Sequence, residues 1–136
     1  MGTGGMIVIS KAVYTEMISH AKKCYPQEAC GFVAGKQEKG QVFLPIENME
    51  HSSISYLMDP KQQLRAFRQM REEALDLLAL FHSHVASPAE PSQKDKTMAI
   101  YAEVSYLIVS LSDMEKPDLK SYRIVEGQVT KEELVI

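Results

Sequence analysis

Two histidines and an aspartate lie close together near the middle of the chain. One serine separates His82 from His84, and Asp95 follows eleven residues after His84. In a β-strand alternate side chains share a face, so both imidazoles can reach one ion. Two ring nitrogens and a carboxylate oxygen suit Zn²⁺ best, with other divalent transition metals possible, and three protein ligands leave one coordination position open for chemistry. We therefore predict one zinc ion per chain, bound by His82, His84 and Asp95.

The same residues also have purely structural interpretations. An isolated His-x-His pair at a strand end is often only a polar surface feature, and Ser92 with Asp95 forms a Ser-x-x-Asp capping box at a helix start. Capping does not exclude metal binding. A closed structural zinc site needs a fourth protein ligand, and no cysteine or histidine lies nearby to supply it. An open, reactive site is therefore favoured.

A metal-activated water needs a general base. Glu28 follows the helix-ending Pro26 and precedes the apolar segment 30–34, so rigid backbone would hold its carboxylate near a sheet. The alternative, an ordinary solvated turn residue, stays open on these grounds alone.

The elements that must position these residues are short. Hydrophobic periodicity and capping signals predict the order β-α-β-β-β-α-β-α-β-β-β, an α+β domain with a mixed, mostly antiparallel sheet and helices packed around it. A buried strand over 77–81 would carry the two histidines at its end, a short strand is predicted near 56–58, and a helix is predicted from Ser92 to about Tyr101.

The helix that begins at Asp59-Pro60 has a two-sided pattern. Its predicted inward residues are Leu64, Phe67, Met70, Ala74 and Leu75, and its predicted outward residues are Lys61, Arg65, Arg68, Arg71 and Glu72.

Composition sets the class of protein. The chain has 136 residues and a formal net charge of −3, and no basic run exceeds two residues, which argues against nucleic-acid or anionic-membrane partners. No apolar stretch is long enough for a membrane span and no signal peptide opens the chain, so a cytoplasmic protein is expected. Residues 1–5 are predicted to be a disordered start, and residues 6–136 a single domain.

Glu28, the His82-x-His84 pair, Ser92 and Asp95 together resemble the signature of the JAMM (MPN+, Mov34/PAD-1) metalloproteases. The resemblance covers nearly all of the chain from Met6 onwards. It implies a single JAMM/MPN domain of the cytidine-deaminase-like kind that binds Zn²⁺. It also implies that Glu28 takes a proton from water and returns it to the leaving amine, while Ser92 stabilises the oxyanion, an effect of about 3–4 kcal/mol in comparable sites.

The substrate expectation rests on the same resemblance. Val85 stands where many family members have proline. The small prokaryotic branch that removes a C-terminal residue such as cysteine from a ubiquitin-like sulfur carrier also lacks this proline, so the chain resembles that branch. The expected partner is thus a ThiS- or MoaD-like carrier with a Gly-Gly-type tail. Two alternatives remain: a desampylase- or deubiquitinase-like isopeptidase on other ubiquitin-like conjugates, and a non-catalytic MPN scaffold that only binds partners. The His-x-Glu and Pro-Cys-x-x-Cys motifs of nucleotide deaminases are absent.

Overall fold

A computed structural model describes residues 5–136. Residues 1–4 of the predicted disordered start lie outside the described residues. The described chain contains seven strands and three helices, in the order β1 (Met6–Ile9), α1 (Lys11–Cys24), β2 (Cys30–Lys36), β3 (Lys39–Ile46), α2 (Pro60–Glu72), β4 (Asp76–His84), α3 (Gln93–Met98), β5 (Ser105–Ser110), β6 (Asp118–Val125) and β7 (Gln128–Val135).

The strands form one mixed sheet in the order β1-β3-β2-β4-β5-β6-β7. β1 pairs in parallel with both β3 and β7, so the sheet closes into a barrel. β4 and β5 are also parallel, and the other neighbours are antiparallel. The predicted α+β class with a mixed sheet and surrounding helices is confirmed. Closure was not predicted, because it depends on pairing between the two ends of the chain.

Each face of the sheet buries its own apolar cluster. Helix α1 packs Val13, Met17 and Ala21 against one face. The other face is covered by α2 and by the segment that follows α3. Side chains alternate along β4, so Phe81 lies in the apolar core beneath α1 and Leu80 lies in the apolar core beneath α2. The histidines of β4 therefore point to the α2 side of the sheet.

The helix starts agree with the capping signals. The Ser10 hydroxyl accepts a hydrogen bond from the backbone N–H of Val13 at 3.1 Å. Asp59 caps α2 by accepting from the backbone N–H of Lys61 at 2.9 Å, with Pro60 in the first turn. No helix within residues 5–136 is long and apolar enough to cross a membrane.

Three predicted details are wrong. The strand near 56–58 is only an isolated bridge between Asn48 and Met58, because the surrounding loop folds on itself. Helix α3 ends at Met98 instead of near residue 101.

The third error concerns two residues of the predicted inward face of α2, Leu64 and Ala74; Phe67, Met70 and Leu75 pack against the core as predicted. Leu64 is 66% exposed, and Ala74 lies beyond the end of the helix with a positive φ of 55°. The buried residues of α2 are Ala66 and Met70. Leu64 lies about 200° around the helix from Ala66, so the packing of Ala66 against the core leaves Leu64 facing solvent.

Candidate metal centre

Strand β4 holds both histidines rigidly in the sheet. His82 lies opposite Cys30 of β2 and Ile108 of β5, so its backbone has a partner strand on each side. His82 and His84 are almost completely buried, with 2% and 4% of each residue's surface exposed. The strand was predicted to end at residue 81. Its extension to His84 leaves little freedom to the backbone of either histidine.

The predicted ligands come together at one point. The Nε2 atoms of His82 and His84 are 3.2 Å apart, and Asp95 Oδ2 lies 3.2 Å from the first and 3.0 Å from the second. Ligand atoms about 2.0–2.1 Å from a tetrahedral metal stand roughly 3.3 Å from one another. The three atoms therefore lie at the spacing of one face of such a tetrahedron, and the set fits a metal ion.

The two imidazoles are oriented by different contacts. His84 Nδ1 lies 2.8 Å from the carbonyl oxygen of Pro88. A proton on Nδ1 makes that hydrogen bond and leaves the lone pair of Nε2 for a metal. The ring of His82 instead stacks on Tyr56, with 4.6 Å between ring centroids and 26° between planes. Burial lowers the pKa of His82, which favours its neutral, ligand form.

Asp95 belongs both to the capping box of α3 and to the group of predicted metal ligands. Its backbone N–H donates to Ser92 Oγ at 3.0 Å, and its Oδ2 accepts from the backbone N–H of Ser92 at 2.9 Å. This is the predicted capping box of α3. Burial alone would raise the pKa of Asp95, but hydrogen bonds with His82 and His84 hold that pKa far below its usual range. The group is a carboxylate at any pH near neutral.

Glu28 lies immediately before β2 and is only 5% exposed. Ser83 lies on the opposite face of β4 from the histidines and fixes the residue that follows Glu28. Its Oγ accepts a hydrogen bond from the backbone N–H of Ala29 at 2.8 Å. Burial raises the pKa of Glu28 to about 7, with the nearby charge of His84 lowering it and that of Asp95 raising it. Glu28 is therefore a buried carboxyl group beside the three-residue cluster.

Asn48 was not singled out by the sequence, although it organises the loop next to Glu28. Its side-chain Nδ2 donates to the carbonyl oxygens of Glu28 and Ser55, both at 3.0 Å. Its Oδ1 accepts from the backbone N–H groups of Glu50 at 3.0 Å and Leu57 at 3.1 Å. Every hydrogen-bonding position of this buried amide is used. An asparagine before a polar loop is too common a pattern to predict such a role.

A cavity of about 290 Å³ adjoins Asp95 on the α2 side of the sheet. Its wall is mostly apolar, with Tyr56 and Leu80 near the cluster and three exposed side chains, Leu57, Met98 and Ile100, farther out. An apolar cavity that opens beside converging polar groups is the usual form of a ligand site.

A family model that describes prokaryotic homologues of the JAB domain matches residues 10–125. The chain belongs to this family. A CysO-cysteine peptidase of Mycobacterium tuberculosis is 35% identical to this JAB-family protein over 133 residues, which are 96% of this chain and 91% of the relative. A desampylase of Pyrococcus furiosus is 32% identical over 109 residues, 80% of this chain and 75% of the relative.

A solved structure has the same fold. The solution structure of a protein from Desulfitobacterium hafniense has a TM-score of 0.88 and 38% identity to this JAB-family protein, and the match covers 96% of this chain and 92% of the other. The JAB/MPN domain implied by the resemblance is confirmed at the level of family and fold. Likeness to the cytidine-deaminase fold stays a prediction.

The stacked ring of Tyr56 leads to a prediction about metal binding. Replacing Tyr56 with Leu should weaken zinc binding by about tenfold, the lower end of the range for contacts that orient a metal ligand, because His82 loses the ring that fixes its plane. Tyr56→Phe keeps the ring and should bind zinc like the wild type. Titration against a chelating indicator measures both affinities. Equal affinity of the Leu and Phe variants would contradict the prediction.

Proposed function

We propose that this JAB-family protein is a zinc-dependent metallopeptidase that removes a C-terminal residue, such as cysteine, from a small ubiquitin-like sulfur-carrier protein. The observation that carries the proposal is the convergence of His82, His84 and Asp95 to about 3 Å from one another, beside the buried carboxyl group of Glu28. The 35% identity to a CysO-cysteine peptidase over almost the whole chain supports the choice of substrate.

His82 Nε2, His84 Nε2 and Asp95 Oδ2 would hold the zinc ion. Among the described residues no fourth histidine, cysteine or carboxylate joins this group, which suits a reactive site better than a closed structural one. When bound, zinc supplies Lewis acidity, which lowers the pKa of a water molecule and polarises the carbonyl of the scissile amide.

Glu28 is the proposed general base. A carboxyl group whose pKa is about 7 exchanges a proton readily near neutral pH. Glu28 would accept a proton from the attacking water and then donate it to the nitrogen of the leaving amine. Two hydrogen bonds fix the backbone from which this carboxyl group projects. The backbone N–H of Glu28 donates to the carbonyl oxygen of Ser52 at 2.8 Å, and the carbonyl oxygen of Glu28 accepts from Asn48 Nδ2.

Ser92 is the proposed oxyanion donor. Its Oγ uses a lone pair to cap α3, which leaves the hydroxyl hydrogen free to donate to the carbonyl oxygen as that oxygen gains charge. The capping bond also fixes where the hydroxyl sits relative to Asp95.

The cavity beside Asp95 is the proposed site of the carrier's tail. Its apolar wall and open outer end suit an extended peptide that reaches the metal from outside. A Gly-Gly-type tail has no side chains, so its backbone could come close to the three clustered ligand atoms.

The proposal is tested with a ThiS- or MoaD-like carrier that bears an added C-terminal cysteine. We expect the zinc-loaded protein to shorten this carrier by one residue, as measured by intact-protein mass, and chelator treatment to stop the reaction. His84→Ala should be inactive and should no longer bind zinc. His51→Ala is the matched control, since His51 is an exposed histidine outside the cluster. Unchanged cleavage by His84→Ala would refute the proposed mechanism.

A second candidate function is isopeptide hydrolysis on other ubiquitin-like conjugates, which the 32% identity to a desampylase favours. The same zinc-loaded protein should be offered a carrier joined through its tail to a lysine side chain. Faster release from this conjugate than from the cysteine-extended carrier would favour the second candidate.

A further inference from the structure

One face of α2 carries four basic side chains and one leucine, all exposed. These residues are Lys61, Leu64, Arg65, Arg68 and Arg71. Their spacing of three or four residues places them on one side of the helix. Leu64, at 66% exposure, lies among the four cations.

The four cations are not neutralised by the rest of the described chain. No carboxylate among residues 5–136 lies within 4.0 Å of Lys61, Arg65, Arg68 or Arg71. Glu72 is the acidic residue on this face of the helix. An ordinary solvated helix face mixes the two signs of charge, and the whole chain has a net charge of −3. The local excess of positive charge is thus specific to this face.

This face is continuous with the proposed site of the tail. Pro60 and Gln63, in the first turns of α2, line the cavity that adjoins Asp95. Leu57, 48% exposed, belongs to the same cavity wall and lies just before the helix. A protein whose C-terminal tail fills the cavity has its folded body outside the cavity, and the first turns of α2 are part of the cavity's wall.

We propose that the exposed face of α2 is the docking surface for the body of the carrier protein, and that the carrier presents to it an acidic surface with an apolar centre. The proposal rests on the proposed function, because it assumes a substrate that is a folded protein with a tail. Opposite charges on the two surfaces would speed their encounter and fix their orientation, and arginine is enriched where such interfaces form. Leu64 would fill the apolar centre.

The double charge reversal Arg65→Glu/Arg68→Glu tests this surface without touching the metal cluster. With the cysteine-extended carrier as substrate, we expect KM to rise by about tenfold or more and kcat to change little, because only the encounter is weakened. Cleavage of a short peptide with the same tail sequence should change less than about twofold, since it lacks the folded body. The matched control is Lys36→Glu/Lys39→Glu, which makes the same charge change on exposed residues at the turn between β2 and β3.

Ionic strength supplies an independent readout. KM of the wild type for the carrier should rise with added salt, and KM of the Arg65/Arg68 variant should respond much less. Failure of the wild type to cleave any carrier would overturn the proposed function. Cleavage with equal KM in the Arg65/Arg68 variant and the Lys36/Lys39 control would overturn the docking surface alone. Binding of a 20-nucleotide single-stranded DNA that is lost in the Arg65/Arg68 variant, with carrier KM unchanged, would also overturn it.

Discussion

Replacing Glu28 with Gln is expected to abolish hydrolysis and, at the same time, to stabilise the metal-free protein at neutral and higher pH. The glutamine would keep the size of the side chain but could not accept the proton of the attacking water, so we expect kcat to fall by at least about 10²–10⁴-fold. Zinc binding should be retained, because Glu28 is not among the three clustered ligand atoms. An assay of carrier cleavage and a zinc titration measure the two effects.

The stability gain follows from the raised pKa of Glu28. The pKa is about 7 in the folded chain, against an ordinary value of 4.5 for a solvated glutamate, so the folded protein binds this proton more tightly than the unfolded chain does. The wild type therefore loses stability as pH rises from about 4.5 through 7, by at most about 3 kcal/mol for this shift. Glutamine carries no charge and avoids that loss.

Denaturant unfolding of metal-free protein at pH 5 and pH 8 measures this difference. The stability of Glu28→Gln relative to the wild type should be greater at pH 8 than at pH 5. Glu38→Gln, a change at an exposed turn residue, should show no such dependence. Equal pH dependence in all three proteins would mean that the folded protein does not raise the pKa of Glu28. A buried carboxylate that costs stability and supports activity is the expected signature of a functional group.

Replacing Ser92 with Ala is expected to reduce kcat by about 10²–10³-fold, the usual loss when one oxyanion donor is removed. The same change removes the cap of α3, which costs about 1 kcal/mol of stability. The activity loss should exceed anything that this loss of stability explains, because the protein remains folded at assay temperature.

Ser10→Ala is the matched control for Ser92→Ala. Ser10 caps α1 through the same kind of bond, from the backbone N–H of Val13, and α1 lies on the opposite face of the sheet from the cluster. Its removal should cost similar stability and leave hydrolysis unchanged. Thermal melts and carrier cleavage, measured on both variants, separate capping from chemistry. Equal small losses of activity in the two variants would leave Ser92 with a capping role only.

The individual strands and helices were mostly predictable because their signals are local. Capping residues such as Ser10 and Asp59 contact backbone within three residues, so the starts of α1 and α2 follow from the sequence. Alternation along β4 put both histidines on one face. The exposure of Leu64 shows the limit of such patterns: periodicity predicts that a helix has a buried and an exposed side, but the tertiary packing of Ala66 and Met70 decides which residues at the boundary are buried.

The sequence by itself was enough to predict the candidate ligands, because strand alternation puts His82 and His84 on one face and the capping box of α3 places Asp95 in the first turn of that helix. Only the tertiary structure decided what surrounds them. Glu28 reaches the cluster because β2 pairs with β4, across 53 intervening residues. Tyr56 meets His82 because its loop folds around Asn48. Such contacts depend on long-range pairing and packing, which no local pattern of residue types records.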